Sequence, residues 1–306
     1  MAIRNSRRTF IQQSTLTLTA AFLGLSFNRK NHPPLLSFST LGCPGWSVDE
    51  IINFAAANDY QGIELRGILK QMDLAKVPEF STAENIRQSL GKLSDKKLKF
   101  VDLGSSTALH HDEGAERTKN LDEAKRFIDL AQQLHCPYIR VFPNELPKNK
   151  AHDEVIELIT KGLITLGDYA KGSDVTVLME THGDVVKIAD IKKIITTANH
   201  PKTGLVWDPV NMWGITKESP TLAYNELHPY IKHVHIKDAI VTDNKPVYTL
   251  LGKGNTPVFE AIDILRKNNY KGYYSFEWEK LWHPEIAEPE IALADYPKAM
   301  ASHFAK

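Results

Sequence analysis

TVLMETHGDVVKIADIKKIITTANHPKTGLVWDP, residues 176–209, runs from a short apolar stretch through an amphipathic one to a second apolar stretch. Thr176–Glu180 and Gly204–Asp208 have the length and near-continuous apolar character of strands buried on both faces. Between them, Ile188–Ala198 repeats apolar residues at three- and four-residue spacing, the period of a helix. A strand, a crossover helix and a second strand make the unit by which parallel strands are joined. Both strands end on a carboxylate, Glu180 and Asp208.

Working outward, the same alternation fills the chain from Pro33-Pro34 to the C-terminus. Candidate strands are Leu36–Leu41, Gly62–Leu65, Lys99–Leu103, Tyr138–Phe142, Ile231–Lys237 and Tyr273–Glu277, which with the first two give eight units. The clearest further helices are Val48–Ala57, Ala83–Leu93, Glu116–Leu134, Asp153–Lys171 and Val258–Asn268, and Ser47 is placed to cap the first of them. No linker or change in composition divides this span. The expectation is an α/β protein with a single (β/α)₈ TIM barrel over residues 33–306.

The 306 residues are 42% hydrophobic and 24% charged, an ordinary globular composition. Lys+Arg and Asp+Glu are equal at 37 each, so the chain has no basic excess to draw a nucleic-acid backbone, and nucleic acid is not an expected partner. Cys43 follows the first strand and Cys136 precedes the fourth, at opposite ends of a barrel, and both are expected to be free.

Residues 1–30 read differently. Ser6-Arg7-Arg8-Thr9-Phe10-Ile11 is followed by an uncharged stretch from Gln12 to Phe27 and then by Arg29 and Lys30, a pattern that resembles a twin-arginine export signal. The stretch is diluted by Ser and Thr and falls short of the roughly 20 predominantly apolar residues of a stable span. This places the protein in the periplasm, or anchored at the outer face of the cytoplasmic membrane. A chance Arg-Arg pair in an N-terminal arm is the alternative.

In a (β/α)₈ barrel the loops after the strands form the active face, so a polar residue ending an apolar strand is a candidate for chemistry. Four late strands end this way, on Glu180, Asp208, His235 and Glu277. A buried carboxylate costs several kcal/mol unless compensated, and one divalent cation compensates all of them at once. Three carboxylates and an imidazole suit Mn²⁺, Mg²⁺ or Co²⁺, with Zn²⁺ and Fe²⁺ also compatible. The competing reading makes each carboxylate a helix cap or the partner of a barrel arginine, and His235 a core histidine.

These endings resemble the xylose isomerase-like barrel superfamily, in particular its sugar phosphate isomerase/epimerase branch. The resemblance rests on Glu180 with His182, Trp207-Asp208-Pro209-Val210-Asn211, His233-Val234-His235-Ile236-Lys237-Asp238, Leu250-Leu251-Gly252-Lys253-Gly254-Asn255 and Phe276-Glu277. It implies Glu180, Asp208, His235 and Glu277 as metal ligands, with Glu180 and Glu277 also catalytic and His233 packed or supporting. It implies substrate contacts from His182, Asn211, Lys237, Arg140 and Glu64. Trp213 and Trp282, in loops on the active face, could stack on a sugar ring, whereas Trp207 and Trp278 are expected to pack outward. Lys237 could polarise a substrate oxygen or pair with Asp238. His110-His111-Asp112-Glu113 could be a metal cluster, though a solvated loop whose first histidine reaches substrate is the simpler reading.

No glycine-rich cradle or basic cluster marks a phosphate grip, and Lys253 stands where the family commonly has an acidic residue. The expected activity is therefore isomerisation or epimerisation of a small carbohydrate by proton abstraction beside a carbonyl. A dehydratase or lyase acting on keto-sugars or 3-keto-glycosides is the alternative, and a carbohydrate-binding barrel without turnover is a lesser one. A DNA-processing endonuclease on the same barrel would need more early-strand ligands and a basic rim. The resemblance also admits a homo-oligomer, although no residue marks an interface.

Overall fold

Apolar strands alternating with amphipathic helices bury both faces either in an open sheet covered on both sides or in a closed barrel, and here the sheet closes. The computed structural model describes residues 33–243 and 245–306. The proposed export segment, residues 1–30, lies outside the described residues.

Eight parallel strands form a closed barrel: β1 (Leu35–Ser39), β2 (Gly62–Leu65), β3 (Lys99–Ala108), β4 (Tyr138–Phe142), β5 (Thr176–Glu180), β6 (Thr203–Trp207), β7 (Ile231–Ile236) and β10 (Tyr273–Phe276), which returns to pair with β1. The helices between them are α1 (Val48–Ala57), α2 (Ala83–Asp95), α3 (Ala115–Gln133), α4 (His152–Ala170), α5 (Ile188–Ala198), α6 (Pro209–Thr216), α7 (Pro220–Leu227), α8 (Val258–Lys267) and α9 (Pro289–Phe304). Ser47 caps α1 in a reciprocal box with Glu50. The fold is the single (β/α)₈ barrel that the alternation implies.

The differences are local. β3 continues to Ala108, five residues beyond the apolar run that announced it. β8 (Asp238–Thr242) and β9 (Lys245–Thr249) form an antiparallel hairpin after β7 that the βα alternation did not anticipate. Its outer face carries Ile240 and Val247 into solvent, so the period-two signal of a half-buried strand is absent.

Alternation along the strands decides what faces inward. Phe276 stacks on Tyr296 of α9 at 4.5 Å, and Trp207 meets Tyr224 of α7 at 5.9 Å, so these positions face the helices. Trp278 also packs, donating its indole N–H to the Ala287 carbonyl at 3.0 Å. The opposite set includes Glu64, Asp102, His233, His235 and Ser275, all buried. The barrel interior is thus polar where the fold more often stacks branched aliphatic side chains.

Cys43 and Cys136 are both buried and free. Among the described residues no helix is long and apolar enough to cross a membrane.

Candidate functional site

Parallel strands end together, and so four polar residues far apart in sequence meet. Glu180 ends β5, Asp208 and Glu277 directly follow β6 and β10, and His235 lies near the end of β7. All four are buried, and one ligand atom from each lies within 4.8 Å of the others. His235 Nδ1 is 3.4 Å from Glu180 Oε1 and 3.4 Å from Glu277 Oε1.

Two cations are built into the same cluster. Lys237 Nζ lies 2.8 Å from Asp208 Oδ2, 2.7 Å from Glu277 Oε2 and 2.9 Å from Glu279 Oε1. Arg140 Nε lies 3.1 Å from Glu180 Oε2, with its guanidinium 3.8 Å from the Phe142 ring centre. Gly104 makes room for Arg140 and the neighbouring Arg66: a Cβ there would meet Arg66 Cδ at 2.7 Å and Arg140 Nη2 at 3.0 Å.

Asp208 is a helix cap by one oxygen, the competing reading of its sequence position, and leaves the other free of the cap. Its Oδ1 accepts from the backbone N–H groups of Val210 at 2.9 Å and Asn211 at 2.8 Å, capping α6. Its Oδ2 points into the cluster. Asn211 Nδ2 in turn donates to Glu180 Oε1 at 3.3 Å.

Two observations fit a divalent cation. Glu180 Oε2, Asp208 Oδ2 and His235 Nδ1 are buried without an aligned hydrogen-bond partner, although Arg140 and Lys237 stand near the two carboxylates. Buried polar atoms are normally satisfied, so three such atoms within one cluster fit a site for a ligand. The charges agree: four carboxylates, Glu180, Asp208, Glu277 and Glu279, outnumber the cationic groups in contact with them, Lys237, Arg140 and His235, whose pKa the carboxylates raise despite burial. Oxygen and imidazole donors suit a hard or borderline metal.

The protonation states follow from burial set against neighbours. Burial disfavours the charged forms of all these groups. For Glu277 it is overridden by His235 and Lys237, which hold the carboxyl well below its ordinary range. Burial and Glu277 push Glu180 up, but His235 and Arg140 bring it below the ordinary range. Burial wins at Asp208 and at Glu279, both of which are raised despite Lys237. Lys237 itself is held well above its usual value by Asp208, Glu277 and Glu279, against the pull of burial.

Glu64 corrects the expectation that it faces substrate. It is fully buried beneath the cluster, accepting from His233 Nε2 at 2.9 Å, His235 Nε2 at 3.1 Å and Ser275 Oγ at 2.8 Å, and it lines neither of the cavities described below. Register explains the difference: Glu64 pairs with Ser39 of β1 and Asp102 of β3, which puts it inside the barrel. Glu64, His233 and His235 form a second group of potential ligands, already satisfied by one another.

Above the cluster a cavity of about 230 Å³ is lined by Arg66, Arg140, His182, Glu277, Glu279 and Trp282, with Leu41 and Phe142. Arg140 and His182 thus stand where substrate contacts were expected, and burial, the larger influence, pulls the His182 pKa down toward the neutral imidazole. Arg66 and Glu279 were not anticipated. Both lie just past strand ends, where polar residues are ordinary, and no local signal set them apart. A second cavity of about 190 Å³ is bordered by His182 and Asn211.

Other expectations change. Lys237 does not pair with Asp238, whose carboxylate accepts from the N–H groups of Gly252 and Gly254 at 2.9 Å each and from Thr256 Oγ1 at 2.7 Å. The Leu250–Asn255 motif is thereby pinned to Asp238, and a Cβ at Gly254 would meet Asp238 Oδ1 at 2.1 Å. Trp213 lines neither cavity and lies under the Lys217 ammonium, 4.0 Å from its ring centre. His110, His111, Asp112 and Glu113 form no metal-holding group among the described residues; Asp112 pairs with Lys150 and Glu113 with Arg117.

The chain belongs to the xylose isomerase-like TIM barrel family, whose profile matches residues 52–296. A 3-dehydroshikimate dehydratase from Bacillus anthracis is 24% identical over 247 residues, spanning 76% of this chain and 85% of that protein. The crystal structure of the probable 3-DHS dehydratase AsbF from Bacillus anthracis superposes with a TM-score of 0.74 at 19% identity, over 87% of this chain and 98% of that one. That of a 3-keto-D-glucoside 4-epimerase from E. coli superposes with a TM-score of 0.67 at 15% identity, over 89% and 99%.

Proposed function

We infer that this member of the xylose isomerase-like barrels is a metal-dependent enzyme that removes a proton from carbon beside the ketone of a carbohydrate or related polyol, as an isomerase or epimerase. The observation that carries the reading is the convergence of Glu180, Asp208, His235 and Glu277, three of whose buried donor atoms lack an aligned hydrogen bond. These four residues would hold the cation. When bound, it supplies Lewis acidity at neighbouring ketone and hydroxyl oxygens.

The chain's own groups account for the rest. Glu180 and Glu277 face each other across His235 Nδ1, so a sugar carbon above the cluster lies within reach of a carboxylate on either side. For epimerisation one takes the proton from one face and the other delivers a proton to the opposite face; for isomerisation a single carboxylate takes the proton and returns it on the same face to the neighbouring carbon. Arg140 and Lys237 keep the two carboxylates ionised and in place, and Asn211 orients Glu180. His182 in the cavity wall is suited to bind a substrate hydroxyl.

One observation favours a second outcome from the same first step. Glu279 lines the cavity beside Glu277 and has its pKa raised by burial, so it is suited to protonate a departing hydroxyl and make the reaction a dehydration. The dehydratase relative acts on a substrate whose name specifies such a ketone. Export through the N-terminal segment remains our proposal for the location.

The test is solvent-deuterium incorporation into a panel of keto-sugars and 3-dehydro polyols by the Mn²⁺-loaded protein, with Glu180→Gln and Glu277→Gln alongside. Exchange that falls at least about 100-fold in both variants supports the reading. Exchange that survives either substitution, or a protein that binds no divalent ion, overturns it.

A further inference from the structure

The second cavity differs in kind from the one over the acidic cluster. One wall is α6, contributing Val210, Gly214 and Ile215; the other is the β8–β9 hairpin, contributing Val241, Pro246 and Tyr248. The hairpin register explains this wall. Val241 pairs with Pro246, and Ala239 with Tyr248, so these side chains share a face, while Ile240 and Val247 lie on the other. The polar groups facing the cavity are few: the Tyr248 phenol, Asn211 and His182.

We propose that this cavity seats an apolar substituent carried by the substrate. The substrate is then a ketone-bearing sugar or polyol joined to an aromatic or alkyl group, its polar ring over the acidic cluster and its apolar arm between α6 and the hairpin. This rests on the proton-abstraction reading above and narrows its substrate class.

Three contacts make the two cavities one bipartite site. His182 lines both. Asn211 borders the apolar cavity while donating to Glu180 at 3.3 Å. The Tyr248 ring centre is 5.6 Å from Lys237 Nζ, at the edge of the cluster. Size is sufficient as well, since about 190 Å³ exceeds the roughly 150 Å³ of an apolar cavity that holds benzene. A free sugar would leave these apolar walls facing hydroxyls that they cannot hydrogen-bond. Ile215, 53% exposed at the mouth, is covered once an apolar arm occupies the cavity.

The experiment is isothermal titration of the full chain with phenyl β-D-glucopyranoside and methyl β-D-glucopyranoside, each with and without Mn²⁺. The phenyl compound should bind at least about tenfold more tightly, the return on burying one apolar ring. Ile215→Asp, at an exposed position, should erase most of that preference and leave methyl glucoside and Mn²⁺ binding unchanged; Val241→Ala should reduce it. Equal affinities, no measurable phenyl glucoside binding to the Mn²⁺-loaded protein, or a preference intact in Ile215→Asp would each overturn the proposal. The two readings fail separately. Deuterium exchange from free keto-sugars without a phenyl preference removes only the apolar subsite, while a phenyl preference in a protein that binds no Mn²⁺ removes only the metal-dependent reaction.

Discussion

His235 Nε2 lies 3.1 Å from Glu64 Oε1, which turns the Nδ1 of the same ring toward Glu180 and Glu277. An ionised Glu64 holds the ring proton at Nε2, so Nδ1, facing Glu180 and Glu277, is the nitrogen that a bound cation would take in place of a proton. His233 and Ser275 hold Glu64 from its other side.

Glu64→Gln should therefore weaken Mn²⁺ binding about 10- to 100-fold, the usual consequence of losing a carboxylate behind a ligating histidine. Calorimetric titration of the folded variant, with its circular dichroism spectrum recorded in parallel, is the check. Wild-type affinity in a correctly folded variant would mean that Glu64 merely fills the barrel.

A cation that closes an excess of negative charge should also stabilise the fold. At about 100 times its dissociation constant, mass action adds about 2.7 kcal/mol, which for a domain of this size corresponds to about 5 °C in melting temperature. Chelation should lower the midpoint by that amount. Lys237→Met removes the ammonium beside Asp208, Glu277 and Glu279, so the metal-free variant should lose about 3–5 kcal/mol and regain more on Mn²⁺ addition than the wild type does. Equal melting temperatures with and without Mn²⁺ would contradict the cation site.

Asp102 gives a pH dependence of its own. Both its carboxylate oxygens are buried without a hydrogen-bond partner, and burial, reinforced by Glu64, raises its pKa to about 7. Below about pH 4 the group is neutral in both folded and unfolded chains and costs nothing. Between about pH 4 and 7 the unfolded chain ionises and the folded one does not, so stability falls as pH rises, by up to about 4 kcal/mol, and levels off above pH 7. Asp102→Asn should flatten that decline. Urea titrations at pH 5 and pH 8 should show the variant gaining over wild type chiefly at the higher pH; an equal difference at both would refute the account.

How much of this was legible from residues alone depends on the kind of signal. β2, β4 and β5 coincide with their apolar runs, and α1 and α5 with their helical periods, because burial dictates those periods directly. Glu180, Asp208, His235 and Glu277 stood out because a polar residue ending an apolar strand is conspicuous. Glu64 was expected at the substrate only through the family resemblance and lies deeper, since a matching position in the sequence carries no information about depth inside the barrel. Arg66 and Glu279 sit in loops just past the strands, where polar residues are unremarkable, and nothing local separated them from ordinary surface charge.

The sequence by itself determined the βα alternation, the count of eight units that fits a closed barrel, and the set of polar strand endings. These are properties of near neighbours, written in two- and 3.6-residue periods. Only the tertiary structure decided that Glu64 supports His235 from below and that Lys237 joins Asp208, Glu277 and Glu279 while Asp238 anchors the Leu250–Asn255 loop. It also decided that the β8–β9 hairpin walls an apolar cavity beside the cluster. Each of these depends on strand register and stagger around a closed barrel, which set the depth and facing of side chains tens to hundreds of residues apart and leave no trace in any local pattern.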